Sequence, residues 1–282
     1  MERALTVSAF LAICTTALLL SHCQVGAILF LVGINLVVAA GLWEFFLLCK
    51  KKGRVSLPYG IFCGAVYTTA VFFSCPNPLY SLPERLSSLV IPIGCFALMF
   101  FFFGWRAVRG DYDSVLFELA ALTGGLVFVA WLSSFFIRIN YFAAAGRNGP
   151  WWLLTLIVIA GGADTFAMYS GKAFGKRKLS PRISPNKTVE GFVGGTVSGI
   201  ALGVLCKFIF PLKINVVEAL ITATTISLVS HLGDLAESAL KRDAGVKDSG
   251  RLPGVGGVLD LMDSALFTAP LAYFFMNLWL KT

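Results

Sequence analysis

Charged side chains are scarce in this sequence. Asp, Glu, Lys and Arg make up 13% of its 282 residues, about half the share found in an average soluble domain. Only two histidines are present, His22 and His231, and the seven cysteines include no C-x-x-C pair. These shortages argue against a soluble globular protein, a zinc site and a disulfide framework. The G-x-x-x-x-G-K-S/T spacing of a Walker A loop is also absent.

Apolar residues are abundant instead. They make up 57% of the chain, and the mean hydropathy is +0.81. Because a run of about 20 apolar residues crosses a bilayer as a helix, the sequence predicts an all-α fold, a polytopic bundle of about nine transmembrane helices. The predicted spans are 5–22, 26–48, 58–75, 88–105, 114–137, 151–170, 192–211, 215–233 and 262–280.

The Lys and Arg residues of the loops predict the orientation of the chain. With the N-terminus in the cytoplasm, 17 of the 23 fall on the inner side, so we expect a cytoplasmic N-terminus and an external C-terminus. The net charge of +8 is then a topology signal and requires no nucleic acid. Arg106 and Arg109 are interpreted in the same way, and Glu44 and Glu118 as acids solvated at helix ends. Short loops and no targeting extension favour a bacterial inner membrane with the site facing the cytoplasm.

Charge is distributed unevenly along the chain. Residues 1–150 contain little chemistry, and we expect them to form about five scaffold helices. Residues 151–282 contain two charged segments, 171–191 and 233–262, which are predicted as cytoplasmic loops of a catalytic region with about four helices.

Several aspartates are predicted to meet at the inner membrane face. Asp260 and Asp263 are three residues apart and share one helical face. Asp234 lies at the predicted inner end of the preceding, antiparallel span, and Asp164 lies inside an earlier span. Clustered carboxylates in a low-dielectric region call for a cation, and oxygen ligands suit Mg²⁺, which substrate phosphates complete. The alternative is that Asp260 and Asp263 only cap a helix N-terminus.

Two segments on the same predicted face are suited to phosphate. The sequences GKAFGKRK (171–178) and SPNKTVEG (184–191) place lysines, hydroxyls and backbone N–H groups before a helix, which is a typical anion site. Cations for phosphate beside acids for metal are what metal-assisted phosphoryl or nucleotidyl transfer requires.

The sequence SALKRDAGVKDSGRLPGVGGVLDLMD (238–263) closely resembles the signature of the phosphatidate cytidylyltransferases, also called CDP-diacylglycerol synthases. The segments 164–175, 184–195 and 233–238 also look like parts of that family. The resemblance covers the second half in detail and the first half only as a helix bundle. It implies an enzyme of phospholipid biosynthesis that converts CTP and phosphatidate to CDP-diacylglycerol and pyrophosphate.

The resemblance also implies roles for individual residues. Metal binding, with Mg²⁺ and a monovalent cation such as K⁺ beside it, falls to Asp234, Asp260 and Asp263. These three are also catalytic candidates, together with Lys241 and Asp248. Substrate binding is assigned to Lys172, Ser184, Lys187, Thr188, Arg242, Gly256 and Gly257.

Some of these roles have alternatives. Asp248 is either a further ligand or a partner of Lys247 or Arg251. Glu237 and Lys241, four residues apart, can form a simple exposed helical pair. The glycines can form a plain flexible turn.

Two positions depart from the family pattern: Val255 stands where it has His, and Leu261 where it has Arg. A divergent, low-activity relative is therefore one alternative. An ion-coupled secondary transporter is another, although it predicts polar residues near mid-membrane in both halves. The pattern of the CDP-alcohol phosphotransferases is missing. The expected partners are the two substrates and membrane lipid, with a homodimer left open.

Overall fold

A computed structural model describes the greater part of the chain. Within it the protein is helical apart from one short hairpin, so the predicted all-α fold is confirmed. Seven described helices are long and apolar enough to cross a membrane, and the protein is an integral membrane protein. Of the other predicted spans, most of 5–22 and most of 88–105 lie outside the described residues, although 100–109 is helical. The described residues are 20–79, 94, 100–110, 113–142, 148–250 and 256–280.

The spanning helices are numbered here in chain order. They are α1 (Gln24–Lys50), α2 (Leu57–Ser74), α3 (Val115–Asn140), α4 (Gly149–Phe174), α5 (Val189–Ile209), α6 (Val216–Asp243) and α7 (Val258–Leu280). Helix α3 contains a π-helical turn at Leu126–Trp131. An antiparallel hairpin of β1 (Lys178–Ser180) and β2 (Ser184–Thr188) lies between α4 and α5.

Three helices extend into segments that were predicted as loops. Helix α6 continues to Asp243, ten residues past the predicted end of its span, because LAESALKRD is charged but rich in strong helix formers. Helix α4 continues to Phe174, and α7 begins at Val258, four residues early. The predicted loop boundaries at 171 and 233 are therefore wrong. A change from apolar to charged residues marks where a chain leaves lipid, and a helix can continue beyond that point.

The chain divides into two compact units. The first contains the described residues up to Arg138 and the described part of Leu252–Leu259; the second contains the described residues of Ile139–Arg251 and Asp260–Thr282. The scaffold and catalytic roles expected for 1–150 and 151–282 remain a prediction.

In the first unit, α1 packs against α2 and α3. Glu44 and Glu118 of this unit are both buried, so their predicted solvation at helix ends is wrong. Glu118 is 3% exposed; its carboxylate lies 2.9 Å from Arg106 Nη2 and accepts the Ser56 N–H at 2.9 Å. Arg106 is likewise buried. Closeness to a loop in sequence does not reveal which side of a helix faces the protein.

In the second unit, α4, α5 and α6 pack against one another. Helix α5 contributes a stripe of buried glycines, four residues apart, to this packing. A Cβ on Gly195 would lie 2.5 Å from the Ala163 carbonyl oxygen, and one on Gly199 would overlap the Ser227 side chain. Small residues allow such close approach in a membrane, where association depends on packing more than on hydrophobicity. The glycines of the stripe are Gly191, Gly195, Gly199 and Gly203.

Candidate active site

The β1–β2 hairpin presents Lys187 to helix α6. The Glu190 carboxylate accepts the N–H groups of Lys176 and Arg177 at 3.0 to 3.2 Å, and Arg242 Nε donates to the Ile183 carbonyl at 3.1 Å. With both ends of the hairpin held, Lys187 Nζ lies 2.5 Å from Asp234 Oδ2. A lysine of the predicted phosphate segment is thus paired with a predicted metal ligand.

Lys241 joins the end of α6 to the start of α7. Its ammonium group contacts the Asp260 carboxylate and lies 3.4 Å from Glu237 Oε1. Asp260 also accepts hydrogen bonds from the backbone N–H and hydroxyl of Ser249, at 2.9 and 3.0 Å. Asp260 is thereby fixed by three donors from two segments.

Glu237 and Asp263 form the buried part of the site. Glu237 is fully buried and Asp263 is 8% exposed, so the alternative of an exposed Glu237–Lys241 pair is wrong. Asp263 lies beside Glu237 and within electrostatic range of Asp234 and Asp164. The reason is geometric, because this face of α6 packs against α7, where Gly233 leaves room for Phe267 and the Asp263 backbone.

Asp164 reaches the same region from helix α4. It accepts a hydrogen bond from Ser230 Oγ at 3.4 Å, and His231 Nδ1 lies 3.7 Å from it. His231 is buried, and its ring lies against that of Phe192 in a tilted arrangement, with the ring centroids 4.9 Å apart. The only sequence signal for Ser230 and His231 was their polarity inside an apolar span.

Together these contacts define what we call the carboxylate cluster. Its negative groups exceed its lysines by three formal charges, counting five carboxylates and two lysines. As they stand, no three His, Cys, Asp or Glu side chains among the described residues are arranged to hold a metal ion. Three of the carboxylates form ion pairs with lysines instead. The all-oxygen donor set and the charge excess nevertheless fit a hard divalent cation. The members are Asp164, Asp234, Glu237, Asp260 and Asp263, with Lys187 and Lys241.

Several predicted substrate-binding residues have structural contacts instead. Thr188 is buried as the N-cap of α5, where its Oγ1 accepts the Gly191 N–H at 3.1 Å. Arg242 donates to two backbone carbonyls, those of Ile183 and Val246. Neither contact involves the carboxylate cluster, so their roles in substrate binding stay predictions.

Other predicted residues lie outside these contacts. Lys172 is exposed in the last turn of α4, and Ser184 is half-buried at the first position of β2. Asp248 is exposed, and Ser249, which was not predicted, contacts Asp260 in its place. Their predicted roles are untested.

The glycines before α7 differ from each other. Gly256 has φ of +90°, a conformation that favours glycine, whereas Gly257 is buried directly before the helix. The close backbone approach to phosphate or metal predicted for them stays a prediction.

Comparison with known proteins places the whole chain in one group. The model of a cytidylyltransferase family matches residues 1–279. Among the similar proteins is a phosphatidate cytidylyltransferase of Bacillus subtilis, 34% identical over 256 residues, which covers 90% of this chain and 91% of the relative. A phosphatidate cytidylyltransferase of Synechocystis is 32% identical and covers 95% of both chains. One from Chlamydia pneumoniae is 31% identical over 84% of this chain and 79% of its own length.

Proposed function

We propose that this chain, which belongs to the cytidylyltransferase family, is an integral membrane enzyme that converts CTP and phosphatidate to CDP-diacylglycerol and pyrophosphate. Relatives that match it over most of both chains carry the name of that activity. The structural observation that supports the proposal most is the ion pair between Lys187 and Asp234. This ion pair joins a lysine suited to phosphate to a carboxylate suited to a metal ion, within one compact unit.

The reaction makes one bond and breaks one. An oxygen of the phosphatidate phosphate attacks the α-phosphorus of CTP, and the bond from that phosphorus to the oxygen bridging to the β-phosphate breaks. Pyrophosphate leaves with the electron pair. Because the phosphatidate phosphate is already ionised at neutral pH, the chain need not supply a strong base, and its task is to orient and neutralise phosphate groups.

Lys187 and Lys241 are the cations in the cluster. Each contacts a carboxylate, and an ammonium group can exchange a carboxylate for a phosphate oxygen. Ser249, together with Lys241, keeps Asp260 in place. The proposed division of labour is that the lysines bind phosphates and the buried acids hold cations.

We also propose that Asp234, Asp260 and Asp263 bind Mg²⁺. The support is the oxygen donor set and the excess of negative charge in the cluster. When bound, the ion would neutralise charge on the reacting phosphate oxygens. A monovalent cation such as K⁺ and a homodimer stay predictions. The Lys and Arg asymmetry favours a site that faces the cytoplasm, the side on which CTP is available, and the bacterial relatives favour a bacterial inner membrane.

The proposal is tested with protein purified in detergent, CTP labelled in its α-phosphate, phosphatidate and Mg²⁺. We expect the label to enter a lipid-soluble product, and Asp263→Asn to lower the rate by about a hundredfold or more, because it removes a buried charge from the reaction centre. The matched control is Glu218→Gln, at the opposite end of α6, where Glu218 forms a capping box with Asn215. Glu218→Gln should retain activity.

The remaining outcomes are distinct. Folded wild-type protein that forms no labelled lipid would favour the divergent, low-activity relative. Product formed at full rate after removal of divalent ions by EDTA would contradict the Mg²⁺ proposal and leave the reaction intact.

A further inference from the structure

Glu44 of helix α1 caps the first turn of helix α7. One of its carboxylate oxygens accepts the Val258 N–H at 2.9 Å, and the other accepts the Leu259 N–H at 2.9 Å. Val258 and Leu259 are the first two residues of α7, and Glu44 is 7% exposed. A residue more than two hundred positions away thus satisfies N–H groups that the helix itself leaves without acceptors.

The sequence before α7 offers no side chain for this task. A local cap is usually Ser, Thr, Asp or Asn immediately before the helix, but here the preceding residues are Gly256 and Gly257. Gly256 has φ of +90°, which allows a sharp turn into the helix. Neither glycine has a side chain that could accept a hydrogen bond. The start of α7 therefore depends on an acceptor from elsewhere in the fold, and Glu44 supplies it.

A carboxylate is well suited to this position. Its negative charge is favourable beside the N-terminal end of the helix dipole, and hydrogen bonds to an ionised acceptor are stronger than neutral ones. Without Glu44, the Val258 and Leu259 N–H groups would lose these acceptors. The hydrogen bond of Leu259 is buried, and a buried donor without an acceptor is costly. Glu44 therefore fixes the residue at which α7 begins.

The residue after Leu259 is Asp260, and Asp263 follows within one turn. Fraying of the first turn would release Asp260 from its helical position. Because each residue advances a helix by about 100°, a shift of α7 by one residue in register would turn both carboxylates away from their present partners. We propose that Glu44 is a positioning residue for the reaction: by fixing the start of α7, it sets the direction in which Asp260 and Asp263 project. This inference rests on the proposed function.

Glu118 provides a matched control within the same unit. It is also a buried acid that accepts a backbone N–H, from Ser56, and its second oxygen contacts Arg106. Its described contacts are with the first unit and not with α7. Replacing either acid by Gln removes one negative charge and keeps the side-chain shape, but only Glu44→Gln changes the cap of α7.

The test measures kcat and KM for CTP, together with hydrogen–deuterium exchange of the peptide that contains Val258 and Leu259. Glutamine keeps one acceptor oxygen and places an NH₂ group against the second N–H. We expect Glu44→Gln to lower kcat about tenfold, equivalent to about 1.4 kcal/mol, with KM for CTP little changed, and to speed amide exchange at the start of α7. Glu118→Gln should lower thermal stability without either effect.

Wild-type kcat in Glu44→Gln would overturn the positioning role, whether or not amide exchange becomes faster. Unchanged exchange would overturn the capping argument itself. If Glu44→Gln does not fold, Glu44→Asp, which keeps the charge but is one methylene shorter, should give smaller changes in the same two measurements, and wild-type values there would overturn the inference. If the wild-type protein has no activity, the proposed function fails, while the exchange comparison still tests the cap.

Discussion

Lys241 illustrates how a single residue can balance two acids. It contacts Asp260 and lies 3.4 Å from the fully buried Glu237. Replacing Lys241 by Met should lower the free energy of unfolding by about 3–5 kcal/mol, because Glu237 and Asp260 lose the ammonium group that they share. The effect is measured by unfolding in detergent. Adding Glu237→Gln to Lys241→Met should recover part of the loss, since it removes one of these two acids. Strictly additive effects of the two changes would contradict the coupling.

At the scale of a helix, the glycine stripe of α5 decides how closely α4 approaches. Gly195→Ala should destabilise the protein by about 1–3 kcal/mol, because the new Cβ would lie 2.5 Å from a backbone oxygen of α4. Gly161→Ala, on α4 with open space around it, should be neutral or stabilising, since Ala favours helix. Thermal unfolding of both variants checks this. Equal effects would mean that helix propensity, and not contact between helices, controls the result.

At the scale of the whole molecule, the positive-inside bias predicts which side each loop occupies. Arg182 in the hairpin and Lys213 after α5 are both exposed and flank one 21-residue span. In a cysteine-free variant of the protein, a membrane-impermeant maleimide added to intact spheroplasts should label Lys213→Cys at once, and Arg182→Cys only after permeabilisation. The reverse pattern would invert the orientation and move the hairpin, with Lys187, to the outer side.

The sequence predicted the helical architecture well because hydropathy is a local property. A run of apolar residues in lipid must satisfy its own backbone, so it becomes a helix wherever it occurs. The seven described spans were found for this reason. Helix ends were less accurate, as at Asp243, because charged residues can extend a helix into water. The hairpin at 178–188 was missed since it depends on contacts with Glu190 and Arg242.

The candidate site was predictable only in part. Asp234, Asp260 and Asp263 were noticed because carboxylates are unusual beside apolar runs and because their spacing resembles a family signature. Ser249 and Glu237 were not predicted as site residues, since a serine in a polar loop and an acid four residues before a lysine are ordinary features. Their contacts with Asp260, Lys241 and Asp263 exist only in the folded chain.

The sequence by itself determined that the protein lies in a membrane, what its helices are, and which family it resembles, since all three follow from residue types at fixed spacings. Tertiary structure alone decided which carboxylate pairs with which lysine, and that Glu44 and Glu118 are buried. The physical reason is that an acid near a helix end can bind water, a lysine or a backbone N–H at similar local cost. Only the packing of distant segments decides which of these partners it meets.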